Sequence, residues 1–334
     1  MDAIQDFRKE ITETGLTPPA EIIPDDTIHR FSTNGDTSGE KSGWYVFHPD
    51  DPPAGAFGDW RKQISETWCA IKSNAMTPEQ REKFHQRINQ AKRDRANQLQ
   101  QEREQAAQRA RKIWDTAESA PNAHPYLQSK QVQPHGLRVL TKRQLQSFHL
   151  DTELGLQSAT LVLPVYKNSH LVSLQFITPA RKRFLKDGET AGGYYPIGMP
   201  QERVYIAEGF ATAATIRELT GEAVVVGFNA GNLTTVATYI RRKEPDLEII
   251  IAGDNDRFTE GNPGHQAAKT AAEAVNGMWL LPEFPDGSDG TDFNDLCCTV
   301  GPEAVTAQLL PEPAVTFLTD EPCQKGNCNQ SAVY

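Results

Sequence analysis

The chain has 334 residues, of which 38% are hydrophobic and 23% are charged, and its formal net charge is −10 at pH 7. A chain of this length is typical of about two or three domains. No apolar run approaches the length of about 18 residues that a membrane helix needs, and the opening MDAIQDFRKE lacks the apolar segment of a signal peptide. We therefore expect a cytoplasmic protein without a membrane partner.

The cysteine pattern excludes two common kinds of small domain. The five cysteines lie at positions 69, 297, 298, 323 and 328, and they show neither a disulfide framework nor the paired spacing of a zinc ribbon. Cys323 and Cys328 have the thiols for half a metal site, although stray thiols near a flexible terminus are the more common case. The last segment, 311–334, is rich in proline and polar residues, and we expect a flexible tail.

Charge is unevenly distributed along the chain. The net charge is +3 over residues 77–118 and +7 over residues 119–186, whereas it is −10 over residues 201–310. A basic body beside an acidic pocket fits an enzyme that grips a phosphate backbone and holds cations where it does chemistry. A solvated helix next to an ordinary acidic domain explains the same charges, so both interpretations stay open.

The first two segments have different characters. Residues 1–76 contain turn-rich stretches and short aromatic runs, which predict a small β-containing module with Trp44, Trp60 and Trp68 in its core. Residues 77–118 form a charged run with few apolar positions, and Pro78 fits a first helical position. This run predicts one long, largely exposed helix that spaces two domains, and its basic residues are more typical of a solvated face than of a DNA contact.

Residues 119–200 predict a basic α+β subdomain. Two apolar runs, ATLVLPVY and HLVSLQFITP, are separated by a short turn and have strand character. Basic residues then cluster around Phe184, at Arg181, Lys182, Arg183 and Lys186. Such a mixture suits backbone phosphates and stacked bases, but a basic hairpin edge that deters aggregation would have the same composition.

Residues 201–310 predict a compact α/β domain with four strands and interleaved helices. Short runs of valine and isoleucine bounded by glycine are typical of strands buried on both faces of a parallel sheet. Glu208 follows the first strand, and Asp254 and Asp256 follow the third. Since open parallel sheets place their chemistry beyond the carboxyl ends of the strands, we expect the three acids to converge on a divalent cation.

Several alternatives limit that interpretation. The chain has no GxGxxG and no GxxxxGK[ST], which disfavours a dinucleotide site and a P-loop. Asp254 and Asp256 point the same way only if the strand conformation continues through them. Asp256 or Asp292 can instead be the N-cap of a following helix, because aspartate is a favoured capping residue.

The acidic motifs resemble those of the Toprim fold, which bacterial replicative primases, topoisomerases and some nucleases share. The likeness extends over most of residues 25–310, and outside the Toprim domain the chain resembles the primases of conjugative plasmids and phages, both the TraC type and the N-terminal regions of phage primase-helicases. The segments that carry it are HPYLQSKQV, LPVY, LQFITP, KRFL, GYYPIG and VYIAEGFATAATI, with WYVFHPD and FGDWR nearer the start. The resemblance implies a Rossmann-like parallel sheet in the catalytic domain.

The resemblance also implies roles for particular residues. Glu208 becomes the acid, base or metal-organising glutamate, and Asp254 and Asp256 become catalytic metal ligands. Asp292 and Asp295 correspond to a third acidic motif that binds metal, and Arg257 is placed to contact incoming phosphates. The implied cofactor is Mg²⁺ or Mn²⁺.

The implied activity is synthesis of short RNA primers on a single-stranded DNA template from ribonucleoside triphosphates, with a replicative helicase as a candidate partner. The zinc-binding module that many related primases carry has no counterpart in this sequence, which leaves template choice open. Two other functions stay open as well. One is a Toprim nuclease, and the other is a non-catalytic DNA-binding accessory protein of a mobile element.

Overall fold

The computed structural model describes residues 3–37, 39–49, 52–71, 78–156 and 159–310. The chain divides into two compact units, Met1–Gln98 and Leu99–Tyr334. The predicted tail, with Cys323 and Cys328, lies outside the described residues, as do positions 72–76 of the predicted N-terminal module.

The first unit is built on a four-stranded antiparallel sheet with strands in sequential order. Its elements are helix α1 (Ala3–Glu13) and strands β1 (His29–Phe31), β2 (Gly43–His48), β3 (Ala54–Asp59) and β4 (Ile64–Cys69). Helix α1 buries Phe7 and Ile11 against one face of this sheet, where Phe7 meets Phe47 and Phe57 with ring centroids 5.2 and 5.6 Å apart. Alternation along the strands decides which side chains reach this core.

The predicted core of the first unit is partly wrong. Trp60 is 60% exposed in the turn after β3, and Trp44 is only half-buried. Trp68 alone of the three tryptophans packs at the edge of the core cluster. The core instead uses the phenylalanine and tyrosine side chains that alternate with Trp44 along β2, because the register of the sheet turns Trp44 to the opposite face.

Helix α2 runs from Pro78 to Thr116. The sequence predicted a largely exposed helix, but the C-terminal part of α2 is partly buried, at Ala106, Ala110 and Ile113. These positions recur at intervals of four and three residues, so they lie on one face of the helix. Ala110 and Ile113 pack into the core of the second sheet. Alanine side chains within a charged run gave little sign of this buried stripe.

The second sheet is antiparallel and has its strands in sequential order. Its elements are β5 (Glu118–Ser119), α3 (Pro125–Lys130), β6 (Arg138–Leu140), α4 (Lys142–Ser147), α5 (Leu150–Leu154), β7 (Thr160–Lys167), β8 (His170–Ile177) and β9 (Lys182–Phe184). The predicted hairpin is present in β7 and β8, and its turn uses Asn168 and Ser169 at positive φ.

The third sheet combines parallel strands with one antiparallel edge. Its elements are β10 (Tyr195–Ile197), β11 (Arg203–Ala207), α6 (Phe210–Thr220), β12 (Ala223–Val226), a 3₁₀ turn (Ala230–Asn232), α7 (Leu233–Lys243), β13 (Glu248–Ala252), α8 (Pro263–Glu273), β14 (Met278–Leu280), α9 (Phe293–Val300) and α10 (Pro302–Leu309). The spatial order is β10-β12-β11-β13-β14, and β11 to β14 are parallel. Strand β10 pairs antiparallel with β12, so this sheet begins before residue 201.

Both faces of the third sheet are buried, which explains the continuous apolar runs of its strands. Along β11, Tyr205 and Ala207 face a core shared with helices α6, α9 and α10, whereas Val204 and Ile206 face a core shared with α7 and α8. Among the described helices, none is both long enough and apolar enough to cross a membrane.

Candidate active site

Two adjacent parallel strands bring the predicted carboxylates to one edge of the sheet. Strand β11 ends at Ala207 and strand β13 ends at Ala252, and these two residues are direct partners in the register. Glu208 follows the first strand end immediately, and Asp254 lies two residues after the second. The carboxyl edge of the sheet therefore holds both acids, as the sequence predicted.

A cleft of about 360 Å³ opens at this edge. Of the predicted site residues, Glu208, Asp254, Asp292, Arg181 and Lys182 line it. The predicted residues that do not line it are Asp256, Asp295, Arg183, Lys186 and Arg257. The cleft thus joins carboxylates from the parallel sheet to two basic side chains from the preceding subdomain.

Asp254 has an unpartnered carboxylate oxygen in the cleft. Its Oδ1 atom is buried and has no hydrogen-bond partner. Burial, together with the negative charges of Glu208, Asp292 and Asp256, raises the pKa of Asp254 to about 8, and the positive charge of Lys182 opposes this rise. Burial and neighbouring negative charges disfavour the ionised form of such a carboxyl group. A bound cation would offset both effects and is therefore favoured there.

Glu208 has a similar but better compensated environment. Burial raises the pKa of Glu208, and the nearby charge of Asp256 adds to this effect. A hydrogen bond from the backbone of Ala230 and the charge of Lys182 act in the opposite direction. Glu208 therefore has a raised pKa and can exchange a proton more readily near neutral pH than an ordinary glutamate.

Two of the predicted acids occupy helix N-termini. Asp256 Oδ2 accepts a hydrogen bond from the backbone N–H of Gly264, at 2.9 Å, in the first turn of α8. Asp292 is the N-cap of α9 and accepts from the backbone N–H of Asp295 at 2.8 Å. The capping alternative is thus realised at Asp292 alone, because the N-cap of α8 is Asn262. Asp292 still lines the cleft, where burial raises its pKa.

The last acid of the predicted set has partners within the protein for both oxygens. Asp295 Oδ1 accepts from Lys130 Nζ at 3.0 Å, and Oδ2 accepts from the backbone N–H of Thr291 at 3.3 Å. Burial works against the charge of Lys130, but its hydrogen bond to Asp295 raises the pKa of this amine. Asp295 is accordingly placed to hold Lys130 at the wall of the cleft.

Only part of the predicted basic cluster lines the cleft. Arg181 and Lys182 line it, and the Lys182 amine lies 3.6 Å from the position that a Cβ atom at Gly209 would occupy. Arg183 and Lys186 are exposed elsewhere on the same segment. Side chains alternate across strand β9, which explains why Lys182 and Arg183 differ.

Arg257 is held by the protein rather than presented to the cleft. Its guanidinium lies 4.3 Å from the centroid of the Phe284 ring and 4.8 Å from that of Phe258, and it donates a hydrogen bond to the backbone oxygen of Ser288. Its neighbour Asn255 is also engaged, with its side chain bonded to Pro282 and Asn262. Both residues shape the loop that carries Asp254.

Sequence reasoning missed several residues of the cleft, among them Tyr126, Lys130, Thr212 and Phe228. Phe228 has φ of 73°, an unusual left-handed conformation for a bulky side chain, and such strain is concentrated at functional sites. These four residues lie within the HPYLQSKQV, FATAATI and GFNAGN segments, but nothing in their local pattern marks them as site residues.

The carboxylates do not form a complete metal cage. Within the described part of the chain, no group of three or more histidine, cysteine, aspartate or glutamate side chains has the geometry to hold a metal ion. Asp256 Oδ2 is engaged at the α8 N-terminus, and the expected convergence of three ligands stays a prediction. The donor chemistry still fits Mg²⁺, which takes oxygen ligands and is bound through one or two carboxylates plus substrate phosphates. The unpartnered Asp254 oxygen fits such a cation.

Comparisons with known proteins agree with the topology of the third sheet. Residues 203–303 match the family described as the Toprim domain. The chain is 34% identical over 286 residues to a protein named DNA primase TraC from Escherichia coli, which covers 82% of this chain and 26% of that protein. A second Escherichia coli protein of the same name is 32% identical over 296 residues, which cover 84% and 19% of the respective chains. The chain therefore spans about a quarter or less of the relatives it matches.

Solved structures give more distant similarities. The Aquifex aeolicus primase, with its zinc-binding and RNA polymerase domains, is 12% identical, with a TM-score of 0.42 over 92% of this chain and 84% of that one. The primase fragment of the bacteriophage T7 primase-helicase is 14% identical, with a TM-score of 0.38 over 57% and 74% of the two chains.

Proposed function

We propose that this protein is a DNA primase, because residues 203–303 match the Toprim domain family and most of the chain is similar to proteins named DNA primase TraC. It synthesises short RNA primers on single-stranded DNA from ribonucleoside triphosphates and depends on Mg²⁺ or Mn²⁺. A replicative helicase is the candidate partner, from resemblance alone. This activity is assigned to the part of the larger TraC proteins that this chain matches.

One observation carries the proposal. Asp254 presents a buried oxygen without a partner, next to other carboxylates and within a cleft that also carries Arg181 and Lys182. A bound cation would compensate the carboxylates, which otherwise repel one another, and a bound phosphate would compensate Arg181 and Lys182 in the same way. Nucleotide polymerisation is a reaction that brings a cation and phosphates to the same place.

The acidic and basic residues of the cleft have different proposed roles. Asp254 and Glu208 would hold the metal from within the cleft, with Asp292 nearby and Asp256 at its margin. When bound, the metal supplies charge neutralisation for the triphosphate and for the leaving pyrophosphate. Lys182 and Arg181 bind phosphate oxygens of the substrate or template. Alternatively, Glu208 is the acid or base, a role that suits a carboxyl group whose pKa is raised by burial.

A direct assay tests the proposal. The full chain is incubated with single-stranded DNA, labelled ribonucleotides and Mg²⁺ or Mn²⁺, and the products are separated by length. Primer-length RNA products are expected. Shortened DNA without new RNA would instead identify a nuclease, and DNA binding without either product would identify an accessory protein.

We expect Lys182→Ala to weaken binding of single-stranded DNA and to flatten its salt dependence by about one unit of slope. The cause is the position of Lys182 in the cleft, beside the carboxylates. The matched control is Lys186→Ala, which removes an exposed lysine outside the cleft. Fluorescence anisotropy at several salt concentrations measures both. If the salt dependence of binding has the same slope for Lys182→Ala and the unmodified protein, Lys182 does not contact the DNA.

A further inference from the structure

The N-terminal sheet carries a pair of indole rings, one exposed and one half-buried, that the proposed active site does not use. Trp44 on β2 and Trp60 in the turn after β3 have ring centroids 5.5 Å apart and planes inclined by 33°. Trp60 is 60% exposed, which is unusual for the largest apolar side chain. An exposed aromatic face of this kind is typical of a site at which a ligand stacks.

The sheet is built to present this pair. Alternation along β2 puts Tyr45 and Phe47 into the core, so that Trp44 lies on the opposite face. Trp44 pairs with Gly58 on β3, and a Cβ atom at Gly58 would lie 2.8 Å from the indole nitrogen of Trp44. Glycine at this position therefore lets the Trp44 ring lie close over the neighbouring strand.

Basic side chains surround the indole end of the sheet. Arg30 pairs with Trp44 across β1 and β2. Lys41 is exposed just before β2, and Arg61 and Lys62 follow Trp60 directly. Arg30 is fixed in place because its guanidinium donates two hydrogen bonds to the backbone oxygen of Lys41. Cations thus lie at the same end of the sheet as the two rings.

The aspartates at this end are turned inwards. Asp59 is fully buried and accepts hydrogen bonds from the backbone N–H groups of Arg61 and Lys62. The Asp36 side chain is only 3% exposed, accepts from two backbone N–H groups and lies 3.2 Å from Arg61. Glu40 is the exposed acid here, and it lies 3.9 Å from Arg61. The outward charge near the rings is therefore carried mainly by Lys41 and Lys62.

The far end of β2 carries an acid instead, since Asp26 lies 2.6 Å from His48 there. Asp25 lies 2.8 Å from His29, which stacks on Tyr45 and so belongs to the other face of the sheet. The sheet face that links the two ends has small or uncharged side chains, at Val46, Ala56 and Thr67, which are paired across three strands. A polyanion is thus favoured at one end only.

We propose that Trp44 and Trp60 form a stacking site for the bases of single-stranded nucleic acid, with its phosphates near Arg30, Lys41 and Lys62. Aromatic rings beside cations bind single strands with little sequence preference, because every base has a stacking face. A duplex would not offer its base faces in this way. The inference rests on the proposed function only in identifying the strand as the primase template.

The test uses the full chain with a labelled oligothymidylate, without nucleotides or metal. Tryptophan quenching reports stacking, and anisotropy reports affinity, both in a Lys182→Ala background that weakens the predicted cleft site. Trp60→Ala is expected to weaken binding about tenfold and to remove most of the quenching, whereas Trp60→Phe retains most of the affinity. Met199→Ala is the control, since Met199 is the most exposed large apolar side chain described in the second unit.

The outcomes separate this inference from the proposed function. Trp60 is exposed, so its replacement should leave the thermal unfolding temperature unchanged, and that is measured alongside. If no primers form but Trp60→Ala still weakens oligonucleotide binding, the stacking site stands while the primase proposal fails. Binding that is equal in Trp60→Ala and its parent would overturn the stacking site. Reduced primer synthesis with unchanged oligonucleotide binding would overturn it too, because it would indicate a different ligand.

Discussion

Asp254→Asn is expected to be more stable than the unmodified, metal-free protein by several kcal/mol at pH 8.5, and to lose this advantage near pH 4. The pKa of Asp254 is about 8 in the folded state, compared with an ordinary value of 3.8. Between these values the folded protein retains a proton that the unfolded chain releases. The free energy of unfolding therefore falls as the pH rises from about 4 to 8, and each unit of pKa shift corresponds to about 1.4 kcal/mol.

Urea unfolding at a series of pH values measures this difference. Other titrating groups change the stability of both proteins, so the difference between them isolates Asp254. Asparagine has nearly the same shape and no charge, which removes the cost of ionising a buried oxygen among carboxylates. Parallel pH profiles for the two proteins would mean that Asp254 titrates normally and that the cleft does not disfavour its charge.

The second large effect is a steep pH dependence of metal affinity. Because a carboxylate must lose its proton to bind a metal, the affinity for Mn²⁺ is expected to rise about tenfold per pH unit below pH 8 and to level off above it. Calorimetric titration in two buffers with different ionisation enthalpies measures both the affinity and the number of protons released.

Two variants control the metal titration. Asp254→Asn is expected to bind Mn²⁺ weakly and without the pH dependence, whereas Asp286→Asn, which changes an exposed acid in the same domain, should behave like the unmodified protein. An affinity that is flat between pH 6 and 8, or one that survives in Asp254→Asn, would place the metal elsewhere.

The sequence predicted the parallel sheet well because both of its faces are buried. Strand β13 is continuously apolar over 249–252, and such a run followed by glycine is distinctive. The acids at the strand ends followed from the same pattern, since the partner positions Ala207 and Ala252 put both loops at one edge. Periodicity and topology together therefore located Glu208 and Asp254.

Side-chain direction in the loops could not be predicted in the same way. The strand ends at Ala252, so the alternation that would align Asp254 with Asp256 no longer applies, and the α8 N-terminus takes up Asp256. Lys130 reaches Asp295 across 165 positions of sequence, a contact that local patterns do not contain. Phe228 is marked by its backbone conformation alone, which only the structure gives.

The core of the N-terminal unit was mispredicted for a related reason. The sequence predicts a core of Trp44, Trp60 and Trp68, but β2 alternates Trp44 with Tyr45, and only one of two neighbours can face the core. The register decides which one, and a single-residue shift would exchange them. The same register leaves the indole pair available for a ligand.

Primer synthesis by the unmodified protein and by Asp254→Asn, measured side by side on single-stranded DNA with labelled ribonucleotides and Mn²⁺, is the most direct test of the central claim. We predict RNA primers from the unmodified protein and from Asp286→Asn, and a loss of about a thousandfold in Asp254→Asn, equivalent to about 4 kcal/mol of transition-state stabilisation. Primer synthesis by Asp254→Asn at the unmodified rate would contradict it.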